Sequence, residues 1–302
     1  MWEKIVAFFM SIIAFFSSLF GFGGKDVNTD YIYKNLSYGN HERQVLDLRL
    51  PENSDGEVGL VLMIHGGAWI AGDKESYVAG IKTACDELGY AGATINYRYL
   101  GKDVTIHDIL NDIESALRVI KEKGAAVGIN INKVLLTGDS AGGHLSMLYA
   151  YSRCDTAPIK PVAVVSNCGP TDFADEKFYI NNALGNEEAI ADLFSLCIGT
   201  DFSYTDRALY KEKLKAVSPL YYVNSNTVPT VINHGMKDSI VPFSNAEALA
   251  AKLKECGVKY DFNIFPNSDH GLDSDSENKK IANDLLISYI KTYLGTEPGA
   301  KW

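Results

Sequence analysis

Residues 133–152 read KVLLTGDSAGGHLSMLYAYS, and the fold turns on how this stretch is understood. KVLLT is a short apolar run of the kind that forms a strand buried on both faces. HLSMLYAYS is a helical run. Between them, Gly138-Asp139-Ser140-Ala141-Gly142-Gly143 satisfies G-x-S-x-G in the strand-to-helix setting that gives the motif its meaning. A turn this tight accepts only small residues beside the serine. It lifts the hydroxyl above the sheet, and the helix that follows aims free backbone N–H groups at any negative charge forming there. Without that setting, the same residues would be no more than a glycine-rich helix start capped by a serine.

Four continuous apolar runs, at 58–64, 91–97, 133–137 and 161–166, have the character of parallel strands covered on both sides, and 229–232 and 260–265 follow them. Residues 33–40 and 43–51, with a turn at Gly39-Asn40, predict an antiparallel opening hairpin, since VLDLRL alternates with period two. Helical patterns lie between the strands. Ile106, Ile109, Leu110, Ile113, Leu117 and Ile120 form one apolar face, with Asp108, Asp112, Glu114 and Lys121 assigned to the other side and Gly124 and Gly128 as stop signals. Residues 246–256 and 280–294 behave similarly. The alternation predicts an α/β protein with a mostly parallel central sheet and helices on both faces.

One interval breaks the rhythm. Residues 171–222 contain no clear strand and many aromatics, among them Phe173, Phe178, Tyr179, Phe194, Phe202, Tyr204 and Tyr210. An insertion of this length is expected to be a helical cap over a binding site, the alternative being a peripheral decoration. No repeat or linker divides the rest, so residues 25–302 form one catalytic domain. Residues 1–24 stand apart. IVAFFMSIIAFFSSLFGF, at 5–22, is 18 residues without a charge, long enough for a membrane anchor. A cleaved signal peptide is the alternative, although no A-x-A site is evident, and a buried helix is the third reading. Glu3, Lys4, Lys25 and Asp26 balance one another and leave orientation open. Either leading reading places the catalytic body outside the cytoplasm, membrane-anchored or secreted.

A formal net charge of −10 argues against a nucleic-acid partner, whose binding rests on Lys and Arg neutralising phosphates. The five cysteines are odd in number and widely spaced, with no C-x-x-C pair and no metal-ligand spacing, which points to small buried hydrophobes rather than a disulfide framework or a zinc site. No metal or cofactor is expected.

A serine hydroxyl needs a base. Of the six histidines, His107 opens an amphipathic helix, His144 lies one turn beyond the serine, and His41 sits in the hairpin turn. His270, in a polar loop after the last strand, falls at the carboxyl ends of the strands, where sites form in such sheets. It is the best candidate. Asp238, also just beyond a strand, is the expected partner of its imidazole, and the order Ser140, Asp238, His270 suits this chemistry; Asp269 is the rival. His65-Gly66-Gly67-Ala68-Trp69 ends another strand, and the amides of Gly66, Gly67 and Ala141 are placed to receive an oxyanion.

With these motifs in order, the sequence resembles the hormone-sensitive-lipase-like and feruloyl/acetyl-esterase-like branch of the α/β hydrolases. The resemblance covers roughly residues 40–295 and rests on HGGAW (65–69), INYRY (95–99), GDSAGGHL (138–145), VSPLYYV (217–223), the HG-x-x-D-x-x-VP segment (234–242) and DHG (269–271). It implies a metal-independent acyl-enzyme mechanism on small esters, including acetylated or feruloylated carbohydrate, with Ser140, Asp238 and His270 in the triad positions and Gly66, Gly67 and Ala141 in the oxyanion positions. The N-terminal stretch is not part of the shared body, and residues 171–222 follow no assignable substrate pattern. Arylformamidase-type amide cleavage and a peptidase related to the prolyl oligopeptidases are rival readings within hydrolases. A membrane-tethered scaffold that keeps the fold without turnover is the rival from another class.

Overall fold

The computed structural model describes residues 31–52, 56–179, 183, 185, 187–203 and 205–295. The expected hairpin forms first, as β1 (Ile32–Ser37) and β2 (Val45–Arg49), paired antiparallel. Six further strands complete one sheet: β3 (Leu60–Ile64), β4 (Ala91–Ile95), β5 (Lys133–Asp139), β6 (Lys160–Asn167), β7 (Thr230–Gly235) and β8 (Tyr260–Phe265). Their order is β1-β2-β4-β3-β5-β6-β7-β8. β2 meets β4 antiparallel, and every pair from β4 to β8 is parallel.

This order positions a site. The chain leaves β3 toward β4 on one side, then returns to place β5 on the other. The connections after β3 and β5 therefore diverge and open a crevice at their carboxyl ends. Ile64 runs into the His65 turn and Asp139 runs into Ser140, so the two glycine-rich motifs face each other across that crevice.

Strand alternation divides the core in two. Leu62, Ile64, Leu136, Val164 and Ile232 pack with α2 (Ile106–Ala126), α3 (Ala141–Arg153) and α6 (Phe243–Glu255). Val61, Met63, Leu135, Val165 and Val231 pack instead with α1 (Val78–Lys82) and α7 (Ser276–Leu294). With both faces covered, the strands are apolar throughout. The start of α2 is fixed by a capping box in which Asp108 accepts from the Thr105 amide at 2.9 Å.

One assignment along α2 is overturned. Asp112 does not face solvent but is 1% exposed, and it accepts from Arg98 at 2.7 Å and Gln44 at 2.8 Å. A buried carboxylate is tolerable only with such partners, and here they tie the INYRY segment to α2. The described residues of 171–222 form no strand; between β6 and β7 they supply α4 (Glu187–Ile198), α5 (Lys211–Ala216) and short 3-10 turns. All five cysteines are free thiols. Among the described residues no helix is long and apolar enough to cross a membrane, and the 5–22 stretch lies outside them.

Candidate active site

Ser140 sits at φ 53° and ψ −119°, a left-handed backbone that a non-glycine residue adopts only when its surroundings impose it. Those surroundings are explicit. The Ser140 amide donates to the Asn167 carbonyl at 2.7 Å, and a Cβ at Gly142 in the first turn of α3, or at Gly138 at the end of β5, would overlap the Ile64 carbonyl oxygen of β3. The small residues flanking the serine are thus a packing requirement.

The turn after β3 is held just as firmly. Gly67 has φ 110°, and a side chain there would overlap the Ala71 carbonyl. A Cβ on Gly66 would lie 3.4 Å from Ser140 Cβ, which sets this backbone directly beside the elbow. Among the described residues the amides of Gly66, Gly67 and Ala141 donate to no acceptor, as the oxyanion assignment requires. Arg43, which sequence reasoning passed over, anchors the turn from behind. It donates to the carbonyls of Tyr97 (2.9 Å) and Gly72 (3.0 Å), meets His65 Nε2 at 3.3 Å, and lies 3.7 Å above the Tyr99 ring. Arginine only donates, so His65 Nε2 accepts and Nδ1–H donates to the Gly66 carbonyl at 2.8 Å. Burial, helped by the Arg43 charge, pushes His65 down to about 4.

His270 and Asp238 come together from loops 32 residues apart, Nδ1 to Oδ2 at 2.8 Å, with both side chains buried. The other Asp238 oxygen accepts from the amides of Ile240 (2.9 Å) and Val241 (2.8 Å). Burial opposes the charged form of Asp238, yet the His270 charge and hydrogen bonds from His234 and His270 outweigh it and hold the carboxyl well below the usual range. Asp269 is otherwise engaged: it accepts from the Ser239 amide at 2.8 Å and from the amide of His270 itself at 2.7 Å. His270 Nε2 is buried and hydrogen-bonds to no described atom, Ser140 Oγ included. That contact is one that commonly tightens only with substrate in place.

His234 was also missed, although its spacing of four before Asp238 was a usable signal. Its Nε2 lies 3.2 Å from Asp238 Oδ2 and 3.0 Å from the Val241 carbonyl. His144 does not reach the serine. It accepts from Trp69 Nε1 at 3.2 Å and donates to the Val217 carbonyl at 2.7 Å, and burial pushes it down to about 4. Cys168 Sγ lies with the donor atoms of Asp238 and His270 within 4.8 Å of one another. Two of these groups, Asp238 and His270, are hydrogen-bonded to each other.

Beside Ser140 a small cavity is walled by Trp69, Phe178, Ile190, Leu193, Phe194 and Val241. Much of the wall therefore comes from residues 171–222. His144 stacks on Phe173 at 5.0 Å and Phe173 on Phe194 at 4.8 Å, linking α3 to α4.

An eight-stranded sheet in this order, with a serine elbow after β5, an acid after β7 and a histidine after β8, defines an α/β-hydrolase. The family model described as BD-FAE matches residues 46–253, and the chain belongs to that family. It is 26% identical over 275 residues to Esterase LipQ of Mycobacterium tuberculosis (strain ATCC 25618 / H37Rv), covering 88% of this chain; the chain spans 64% of that relative's length. Esterase B from Lactobacillus Rhamnosis (HN001) shares the fold with a TM-score of 0.71 and 21% identity, over 95% of this chain and 93% of that one. A truncated carbohydrate esterase from gut microbiota gives a TM-score of 0.66 and 22% identity, over 88% of this chain and 100% of that one.

The neutral buried histidines make stability pH-dependent. His65 and His144 stay unprotonated in the fold down to about 4, whereas the unfolded chain protonates them near the ordinary 6.5. Acidification to pH 5 therefore favours unfolding by about 2 kcal/mol per histidine. Asp139 works in the opposite sense. Burial raises it to about 6, so the fold takes up a proton that the unfolded chain, near 3.8, does not, recovering about 1.4 kcal/mol. Urea unfolding should show a net loss of about 2 to 3 kcal/mol between pH 7.5 and 5, and His144→Gln, which keeps both hydrogen bonds, should remove about 2 kcal/mol of that loss. Equal stability at the two pH values would contradict this.

Proposed function

We propose that the protein is a serine carboxylic-ester hydrolase that works through an acyl-enzyme. Two observations support this: a strained serine elbow after β5 and a buried Asp238–His270 pair bonded at 2.8 Å in the loops after β7 and β8. In this reading Ser140 Oγ attacks the ester carbonyl and His270 Nε2, the ring nitrogen left unpaired, takes the hydroxyl proton. Asp238 fixes the tautomer and steadies the imidazolium. The amides of Gly66, Gly67 and Ala141 receive the oxyanion. His270 then passes its proton to the departing alkoxide, and water repeats the sequence to free the acid and restore Ser140.

The cavity beside Ser140 narrows the substrate. It is small, and its wall is hydrocarbon and aromatic. It suits a short aliphatic acyl group rather than a feruloyl group, whose phenol would be buried without a partner. Residues 171–222 act here as a cap, with Phe194 and Ile190 setting the depth. Likeness to a carbohydrate esterase adds acetylated sugars to the alcohols worth testing. The uncharged 5–22 stretch supports a membrane tether, with the catalytic body outside the cytoplasm.

Fluorophosphonate labelling should be strong in the native protein and absent in Ser140→Ala; folded native protein that takes no label would favour the scaffold reading. Across p-nitrophenyl esters, turnover should peak at acetyl to butyryl, and Phe194→Ala should shift the optimum to longer chains with about tenfold gain at octanoyl, each buried CH₂ being worth ~0.8 kcal/mol. An unmoved optimum, or faster turnover of N-formylkynurenine than of any ester, would overturn the substrate assignment. Alkaline extraction of membranes should leave the full chain in the pellet and release a chain lacking residues 1–24; full release of both would remove the tether.

A further inference from the structure

On the sheet face turned toward α1 and α7, directly behind the elbow, four polar side chains stand in register across four parallel strands. Asp139 on β5 pairs with Asn167 on β6, Asn167 with Asn233 on β7, and Asn233 with Asn263 on β8. Hydrogen bonds join them end to end. Asn263 Nδ2 donates to Asn233 Oδ1 at 3.0 Å, Asn233 Nδ2 to Asn167 Oδ1 at 2.8 Å, and Asn167 Nδ2 to Asp139 Oδ1 at 2.7 Å. The second Asp139 oxygen accepts from the Tyr77 hydroxyl. Asparagine is a poor strand former, and Asn233 and Asn263 are 1% and 7% exposed, so the row is no product of strand propensity.

Its direction is fixed at the far end. Asn278, on α7, donates Nδ2 to Asn263 Oδ1 at 3.1 Å and to the Ile264 carbonyl at 2.9 Å, while Asn263 Nδ2 also reaches the Asn278 carbonyl at 2.9 Å. A main-chain carbonyl can only accept, so these contacts identify the nitrogen of each amide, and every amide in the row donates toward Asp139. Aligned hydrogen bonds in a buried setting polarise one another. The row thus ends as a set of dipoles aimed at one carboxyl group.

We propose that this asparagine ladder keeps Asp139 ionised and that Asp139 is a positioning residue: its negative charge favours the imidazolium that His270 becomes as Ser140 loses its proton. The inference rests on the reading of Ser140 as nucleophile and His270 as base. Tyr77, from the turn before α1, donates to Asp139, and the charges of two further titratable groups act on it: His270, from the loop before α7, and Cys168, just beyond β6. Burial pushes Asp139 up to about 6, against the hydrogen bonds from Tyr77 and Asn167 and the charge of His270. The carboxyl is therefore poised where loss of the ladder's support changes its charge within the working pH range.

The test is kcat and KM for p-nitrophenyl butyrate from pH 5 to 9, in the full chain and in Asn233→Leu, Asn278→Ala and Asp139→Asn. Asn233→Leu should move the acid limb of kcat/KM upward by about half a pH unit, an extra loss of about threefold at pH 6 relative to its own rate at pH 8. Asn278→Ala, at a partly exposed rung, should give a smaller shift of the same sign, and decides the matter if Asn233→Leu does not fold. Asp139→Asn should make the acid limb shallower by one proton and lower kcat about tenfold with KM little changed. Acid limbs that superimpose in the native chain and the ladder variants overturn the proposal while Ser140-dependent labelling persists. Absence of that labelling in the native chain overturns the esterase reading and this inference together.

Discussion

The close approach of the β5–α3 turn to β3, where Gly138 and Gly142 leave room for nothing but the Ile64 carbonyl, is the contact on which the rest of this molecule depends. It forces Ser140 into its left-handed backbone and brings the turn after β3 alongside the serine. A wider spacing would relax the elbow and separate the Gly66 and Gly67 amides from the hydroxyl they flank. Strain at one residue is sustained because two elements are packed to main-chain contact around it.

Around that contact, burial sorts the ionisable groups into roles. His65 and His144 are enclosed and used as neutral hydrogen-bonding parts, one fastening the glycine turn through Arg43, the other joining Trp69 to the Val217 carbonyl. His270 is equally enclosed, but it faces a carboxylate whose charge is secured by two amides and by His234. The same side chain is a neutral strut in one setting and the partner of a buried carboxylate in another, according to what lies behind it.

Much of this was legible in the sequence because it is encoded locally. The elbow, the apolar strands and the amphipathic helix at 106–126 each occupy a continuous stretch, and the loops bearing Asp238 and His270 follow their strands directly. The choice of Asp238 over Asp269 agrees with the geometry for a reason the sequence does not display: Asp269 is spent on the Ser239 and His270 amides. What was illegible depends on distant juxtaposition. Asp112 lies on the polar side of its helix by periodicity, yet Arg98 and Gln44 arrive from other elements to enclose it. The partners in the asparagine row are 28, 66 and 30 residues apart, and nothing near any one of them announces the next.

The wall of the cavity has a different origin from its floor. Ser140 and the glycine turn adjoin the sheet, whereas Phe178, Ile190, Leu193 and Phe194 come from the chain between β6 and β7. The serine elbow and much of the aromatic wall are thus written in separable portions of the polypeptide. Substitutions between β6 and β7 can therefore reshape this wall while the elbow and the glycine turn keep their packing.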